Sequence, residues 1–291
     1  MEKGKFGKKQ KLVLTLLTVG GVGLFNPLLS QARETTEEKW DQYHSVQISP
    51  EFLSGRFTAD REAIDISPNN HLVFKNDFLK VTGFSGEGDS AAPASIDGFS
   101  VFKNLEFMSF EGGQVSDFRP IRNLKNVTEF YMSGSNNNTL TDFKDWEKIE
   151  SFDYYEVENN KNRIALTDLS ALSNKKSLKR IRISTLGSLP TIRLSKKHNR
   201  YELFDPIILS DQFKAQTKYT GISFEFDEEF EDEQNEAVDF SSNVSEDGLM
   251  CWENIPTHAT SLKFIAKATE YPSQNSIEYY GEINIPIHWV D

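Results

Sequence analysis

A frame of apolar residues that returns along the middle of the chain limits its fold more than any other feature. Asp117-Phe118-x-x-Ile121 is followed by Leu124, Val127, Phe130 and Met132, at spacings of 3, 3, 3 and 2. Asp142-Phe143-x-x-Trp146 is followed by Ile149, Phe152, Tyr155 and Val157 at the same spacings. A third copy, Asp168-Leu169-x-x-Leu172, continues through Leu178, Ile181 and Ile183, with Lys175 breaking the pattern once. Upstream, Ser95-Ile96-x-x-Phe99 runs on through Phe102, Leu105, Met108 and Phe110, so the starts at 95, 117, 142 and 168 lie 22, 25 and 26 residues apart. A spacing of three follows a helical or 3₁₀ segment and a spacing of two a short strand. Each copy is therefore one coil of a solenoid. A unit of about 22 residues cannot bury its own apolar side, so coils must stack into a continuous core with their strands aligned as a parallel sheet on the concave face. Chance spacing in an ordinary α/β domain accounts for one such copy but not for four in register.

The motifs flanking the strands carry a resemblance. Phe102-Lys103-Asn104-Leu105 and Leu124-Lys125-Asn126-Val127 precede strands, while Val115-Ser116-Asp117-Phe118-Arg119-Pro120-Ile121 and Leu166-Thr167-Asp168-Leu169-Ser170-Ala171-Leu172 follow them. Over roughly residues 95–192 this resembles the 22-residue unit of internalin-like leucine-rich-repeat proteins of Gram-positive bacterial surfaces. The resemblance implies a short α/β-type leucine-rich-repeat solenoid of four to five coils, spanning residues 95–195, followed by an all-β immunoglobulin-like sandwich. The sequence departs from that family at its asparagine ladder, since the corresponding positions are Gly113, Ser135, Asn160 and Leu186.

Residues 196–291 read as strands on their own evidence. Ile222, Phe224 and Phe226 alternate with polar residues, as do Leu262, Phe264, Ala266 and Ala268, and Ile283, Ile285 and Ile287. Period-two runs separated by Pro, Asn and Gly indicate a β-sandwich. Tyr201-Glu202-Leu203-Phe204-Asp205-Pro206 is similar to the opening strand of the family's immunoglobulin-like domain, and Trp252 to Pro256, Leu262 to Phe264 and Tyr280 to Ile287 to its closing half. The eight carboxylates between Glu225 and Glu236 lack the Gly and the alternating oxygens of a calcium loop, and read as a solvated acidic loop or a guarded sheet edge. Residues 33–94 form an N-terminal cap region with room for one degenerate repeat, beginning at Asp65-Ile66-Ser67-Pro68 and ending at Phe78. A cap is required because the end of a solenoid core would otherwise lie exposed.

The first 32 residues read as a secretory signal: five Lys, the apolar stretch Leu12 to Leu29, then Ser30-Gln31-Ala32 with small residues where a signal peptidase cuts. An uncleaved anchor is the alternative, since eighteen mostly apolar residues approach a bilayer's thickness, but Gly20, Gly21, Gly23 and Pro27 weaken a permanent helix. Five Lys against one Glu leave with the signal, so the net charge passes from −12 to −16. A chain this acidic repels nucleic acid and anionic lipid. Cys251 is the single cysteine, so no internal disulfide forms; beside Trp252 it reads as a small buried hydrophobe. The chain closes on Trp289-Val290-Asp291 without a sortase motif or hydrophobic tail. The expectation is a protein secreted to the extracellular space, or held at the cell surface by non-covalent contact.

Residues alternating with the core residues of each strand face outward. Counted from the frames above, they give a candidate concave face of Phe107, Glu129, Tyr131, Tyr154, Glu156, Arg180 and Arg182, with Tyr154 beside Arg180 and Glu156 beside Arg182. Aromatic residues beside Arg offer large contact area at small entropic cost; the alternative is that Arg180 and Arg182 merely neutralise acidic neighbours. The five histidines are dispersed, and no HExxH, G-x-S-x-G or P-loop occurs. The sequence therefore calls for no enzyme, no metal and no cofactor. The leading expectation is an internalin-like binding protein whose partner is a host receptor or a bacterial surface protein, with the adhesion or host-cell modulation that the resemblance implies. An accessory of the cell envelope, binding wall polymer or an anchored surface-protein complex, is the second, and a wall-acting hydrolase the third.

Overall fold

A computed structural model of the chain describes residues 45–47, 56–59, 62–64, 72–86, 96, 98–112, 115–135, 137–156, 163–226, 244–271 and 275–291, all within the compact unit Ser45–Asp291. The signal, the start of the degenerate repeat, Asn160 of the asparagine ladder and the acidic run from 227 onward lie outside the described residues.

Parallel strands stack as the repeat demands. In chain order, β5 (Gly83–Gly86), β6 (Phe107–Phe110), β7 (Glu129–Ser133), β8 (Ser151–Tyr155) and β9 (Arg180–Ser188) pair successively in parallel. Short 3₁₀ turns η1 (Phe99–Val101), η2 (Thr141–Phe143) and η3 (Ser170–Leu172) form the opposite side of the coils. Coil joins coil by backbone hydrogen bonds at the strand entrances: Glu106 N donates to Thr82 O (2.8 Å), Thr128 N to Glu106 O (2.8 Å), Glu150 N to Thr128 O (2.7 Å) and Lys179 N to Glu150 O (2.9 Å). This is the geometry of a leucine-rich-repeat solenoid.

Phe84, Met108, Phe130, Phe152 and Ile181 are register partners, which makes the strand-to-strand repeat 24, 22, 22 and 29 residues. Sequence spacing had placed one copy three residues too late. Its strand core is Phe152 and Tyr154, both fully buried, whereas Tyr155 is half-exposed and Val157 lies outside the described residues. The physical cause is that three successive spacings of three look unchanged when slid by three, while a slide of three exchanges the two faces of a strand. The degenerate first coil is likewise later than expected: Phe78, Val81 and Phe84 are all buried, and the coil ends in β5 rather than at Phe78.

The core is a column of rings. Phe130 lies 5.9 Å from Phe118, 5.0 Å from Phe143, 5.5 Å from Trp146 and 5.2 Å from Phe152, measured between ring centroids. Lys175, which breaks the apolar pattern, is nonetheless buried; its ammonium donates to the carbonyls of Lys144 (2.8 Å) and Trp146 (3.4 Å) in the preceding coil. Asparagine bridging occurs at the Lys-Asn motif, where the Asn104 amide donates to Leu79 O (2.8 Å) and that of Asn126 to Lys103 O (3.1 Å).

On the N-terminal side β2 (Arg56–Ala59) pairs antiparallel with β5 and with β3 (Glu62–Ile64), capping the sheet with strands. β1 (Ser45–Gln47) and β4 (Leu72–Phe74) form a separate pair, and a short helix, α1 (Lys75–Lys80), follows β4. On the other side the last strand, β15 (Ile277–Val290), lies parallel to β9 and antiparallel to β14 (Ser261–Glu270), which in turn pairs with β12 (Lys218–Glu225). β10 (Ile192–Ser195) continues the β9 side of β15. One sheet thus runs from β3 to β12 without a break. A second small sheet, β11 (Tyr201–Phe204) with β13 (Leu249–Trp252), packs against it through Trp252, which is fully buried, lies 6.3 Å from Phe264 and donates its indole N–H to Ser223 O (3.2 Å). The buried Tyr279 of β15 donates to Leu166 O (3.0 Å), so the two halves share core as well as sheet. Cys251 corrects its expectation: it alternates with Trp252 and is half-exposed, not buried.

Candidate functional site

Strand alternation decides which side chains leave the solenoid. In β8, Phe152 and Tyr154 enter the core, so Ser151, Asp153 and Tyr155 point the other way; in β9, Ile181 and Ile183 enter, leaving Arg180, Arg182 and Ser184 outside. Register then sets Ser151 beside Arg180, Asp153 beside Arg182 and Tyr155 beside Ser184, with Tyr131 of β7 on the other flank of Asp153.

Asp153 organises this patch. It is only 2% exposed although it lies on the outer face, because two guanidinium groups cover it. Arg182 donates through Nε (3.2 Å) and Nη2 (2.6 Å), and Arg180 through Nε (3.2 Å) and Nη2. Charge-assisted pairs of this forked geometry fix orientation as well as energy. Arg180 and Arg182 keep about two fifths of their side chains exposed, at 42% and 36%, so each is held in place with donors still facing solvent. The Arg182 guanidinium carbon lies 6.0 Å from the Tyr155 ring centroid, and Tyr155 lies 5.8 Å from Tyr131. Burial pushes both phenols above the ordinary tyrosine range, with Glu111 adding to it for Tyr131 and Asp153 for Tyr155. They remain neutral hydrogen-bonding groups on propped aromatic rings.

Five of the seven residues expected from sequence lie on this face. Tyr131, Arg180 and Arg182 meet around Asp153, while Phe107, 37% exposed, and the exposed Glu129 sit opposite each other in the row nearer the strand entrances. Tyr154 and Glu156 do not belong to it. Tyr154 is wholly buried, and its hydroxyl donates to Asn137 O. Glu156 is 7% exposed and accepts from Thr185 Oγ1 (2.7 Å) and Leu186 N (2.9 Å); desolvation raises its carboxyl from 4.5 to about 7 against the effect of those bonds. Both errors follow from the three-residue slip, which also hid Asp153 and Tyr155. The signal that finds them is the step of three then two from Ile149 to Phe152 to Tyr154, matching Val127, Phe130 and Met132.

Where the family's asparagine ladder would run, hydroxyls and one arginine serve instead. Ser135 Oγ donates to Val115 O (2.9 Å), Arg163 Nη1 donates to Ser135 O (2.8 Å), and Thr185 Oγ1 accepts from Leu166 N (2.9 Å). Buried backbone groups need partners, and the chain supplies them one coil at a time. Among the described residues no cluster of three His, Cys, Asp or Glu is placed to hold a metal, and no helix is long and apolar enough to cross a membrane.

Neither a protein-family model nor a curated protein matches the chain. Among solved structures it is similar to an internalin, InlF, from Listeria monocytogenes, at 21% identity and a TM-score of 0.31 over 43% of this chain and 39% of that one. Internalin C2 from the same organism matches at 17% identity and a TM-score of 0.29, over 43% of this chain and 76% of that one. The functional domain of InlJ, also from Listeria monocytogenes, matches at 13% identity and a TM-score of 0.25 over 77% and 55%. The assignment of a leucine-rich-repeat solenoid rests on the register and the coil geometry of the chain itself.

Proposed function

We propose that this chain is a secreted, non-enzymatic binding protein of the internalin kind, which captures another protein on the outer face of its parallel sheet. The observation that carries the reading is the Asp153 clamp. A nearly buried carboxylate fixes Arg180 and Arg182, and Arg182 in turn backs Tyr155 and its neighbour Tyr131. Arginine and tyrosine residues held rigid before a partner arrives lose little entropy on binding, and they are the side chains on which interface energy concentrates. The same reading takes residues 1–32 as a cleaved signal and 196–291 as an immunoglobulin-like sandwich, and places the protein outside the cell, in adhesion to or modulation of host cells.

The Tyr131→Ala, Tyr155→Ala double substitution is expected to weaken partner capture at least tenfold while leaving the melting temperature within about 4 °C, since both side chains are half-exposed and neither pairs with the Asp153 carboxylate. Capture from surface extracts, with the bound protein identified by mass spectrometry, measures the effect; undiminished capture removes the face from consideration. For the signal, the secreted form is expected to begin at Arg33, and N-terminal sequencing that finds Met1 instead replaces secretion with anchoring.

A further inference from the structure

We propose that the recognition surface continues beyond the solenoid across β15, β14 and β12, and that it takes a single folded protein carrying acidic groups opposite Lys218 and Lys267. This rests on the outer sheet face being the binding face.

Continuity is the first ground. Because β15 pairs with β9, Glu278 stands beside Arg182 and Tyr280 beside Ser184; Lys267 stands beside Tyr280, and Lys218 beside Lys267. All of these alternate with buried residues, so they share the face of Tyr155 and Arg182. Strands in a sheet lie about 4.8 Å apart. β5 to β9 alone spans about 19 Å, whereas β5 to β12 spans about 34 Å. A stable, specific interface buries about 800 Å² on each partner, a patch of roughly 28 Å across. The five solenoid strands alone fall short of that, and the strands beyond β9 supply the missing width without a break in the sheet.

Charge is the second. Lys218 and Lys267 are directly opposite each other on antiparallel strands, an arrangement that destabilises a sheet. Both are exposed, and neither makes an ion pair among the described residues; the Lys267 ammonium lies 5.3 Å from the Tyr280 ring centroid. Lys263, on the same face, is treated differently, since it pairs with Glu282 and lies 3.7 Å from Glu225. In a chain of net charge −12, counter-charges for the first two were readily available. At the opposite end Glu111 and Glu129 are exposed and make no ion pair among the described residues. The face is therefore polarised, acidic at β6 and β7 and basic at β14 and β12. A polyanion would meet the acidic half. A protein surface of opposite polarity fits both.

Two measurements on the full chain test this. Lys218→Glu relieves the like-charge pair and is expected to raise the melting temperature by about 1–3 °C; no rise, or a fall, overturns the claim that the pair is held against a cost. For the footprint, a photo-reactive p-benzoylphenylalanine is placed at Ser133 on the solenoid or at Thr269 on β14, and the probe is the surface protein that the unmodified chain captures, once identified and purified. Cross-linking of that protein from both positions, with affinity falling at least tenfold when Lys218 and Lys267 are both changed to Glu, is the expected result. Cross-linking from Ser133 alone overturns the extension and leaves the solenoid face standing, whereas none from either position defeats both. A cross-link joining two copies of the chain, or an affinity unchanged by the charge reversal, also overturns the proposal.

Discussion

Phe130→Ala is expected to destabilise the protein by about 4 kcal/mol and to lower its melting temperature by about 10 °C. Phe130 is 1% exposed and sits where rings from three coils converge: Phe110 and Phe118 on one side, Phe143, Trp146 and Phe152 on the other. Truncation removes the transfer energy of a phenyl group and leaves a void that rigid neighbouring rings are poorly placed to fill. In a solenoid each coil is stabilised by the coils beside it, so a void in the middle weakens both interfaces of that coil at once. Phe107→Ala, on the outer face of the preceding strand, is the comparison and should cost only about 1 kcal/mol, since its ring is partly exposed. Chemical denaturation of both variants checks the pair. Equal losses would mean that the stacked rings contribute no more than a surface phenylalanine.

The second large effect concerns pH. Glu156 has its carboxyl raised from 4.5 to about 7 by burial, with Arg163 and the bonds from Thr185 and Leu186 opposing. Because the folded value lies above the unfolded one, the folded protein keeps this proton over a range in which the unfolded chain has released it. Stability from this group is therefore complete below about pH 4.5 and is lost as pH rises towards 7, a decline of about 3 kcal/mol. Glu156→Gln keeps an acceptor oxygen for Thr185 and Leu186 but cannot ionise. The variant is expected to match the parent near pH 4.5 and to exceed it by about 2–3 kcal/mol at pH 8. Unfolding free energies of both proteins at pH 5 and pH 8 measure the difference, and parallel pH profiles would show that the buried carboxyl is not the source.

The solenoid was legible because its signal is redundant: Leu105, Met108 and Phe110 repeat as Val127, Phe130 and Met132, and buried positions in one coil predict those in the next. The phase of the third coil was not. A run of spacings of three has no internal mark saying where the 3₁₀ side ends and the strand begins, and the choice between Tyr154 and Tyr155 as core residue turns on that mark alone. Tyrosine fits both sides, since its hydroxyl can reach a carbonyl such as Asn137 O when buried or solvent when not. Glu156 ran against pattern for another reason. A carboxylate is rarely buried, and what makes it tolerable here, the Thr185 hydroxyl and the Leu186 amide, lies about 30 residues away in sequence. Asp153 was invisible for the converse reason: it is buried on the outer face by its own arginine partners, which no apolar periodicity records. The alternating strands of β14 and β15 were read correctly as strands, but period two says nothing about which strand lies next to which, so the junction through β9 emerged only in three dimensions.

That junction also sets a timetable. β15 comes from residues 277–290, yet it lies between β9 and β14. A chain emerging with its N-terminus first can stack its coils as they appear, because their contacts are local, but the open edge of β9 must wait almost a hundred residues for its partner. Throughout that interval a parallel sheet presents unpaired amides and carbonyls to any extended segment nearby. Folding of the whole should accordingly be slow and sensitive to crowding by its own kind, with yield governed by the arrival of one late strand rather than by the repeats that dominate the sequence.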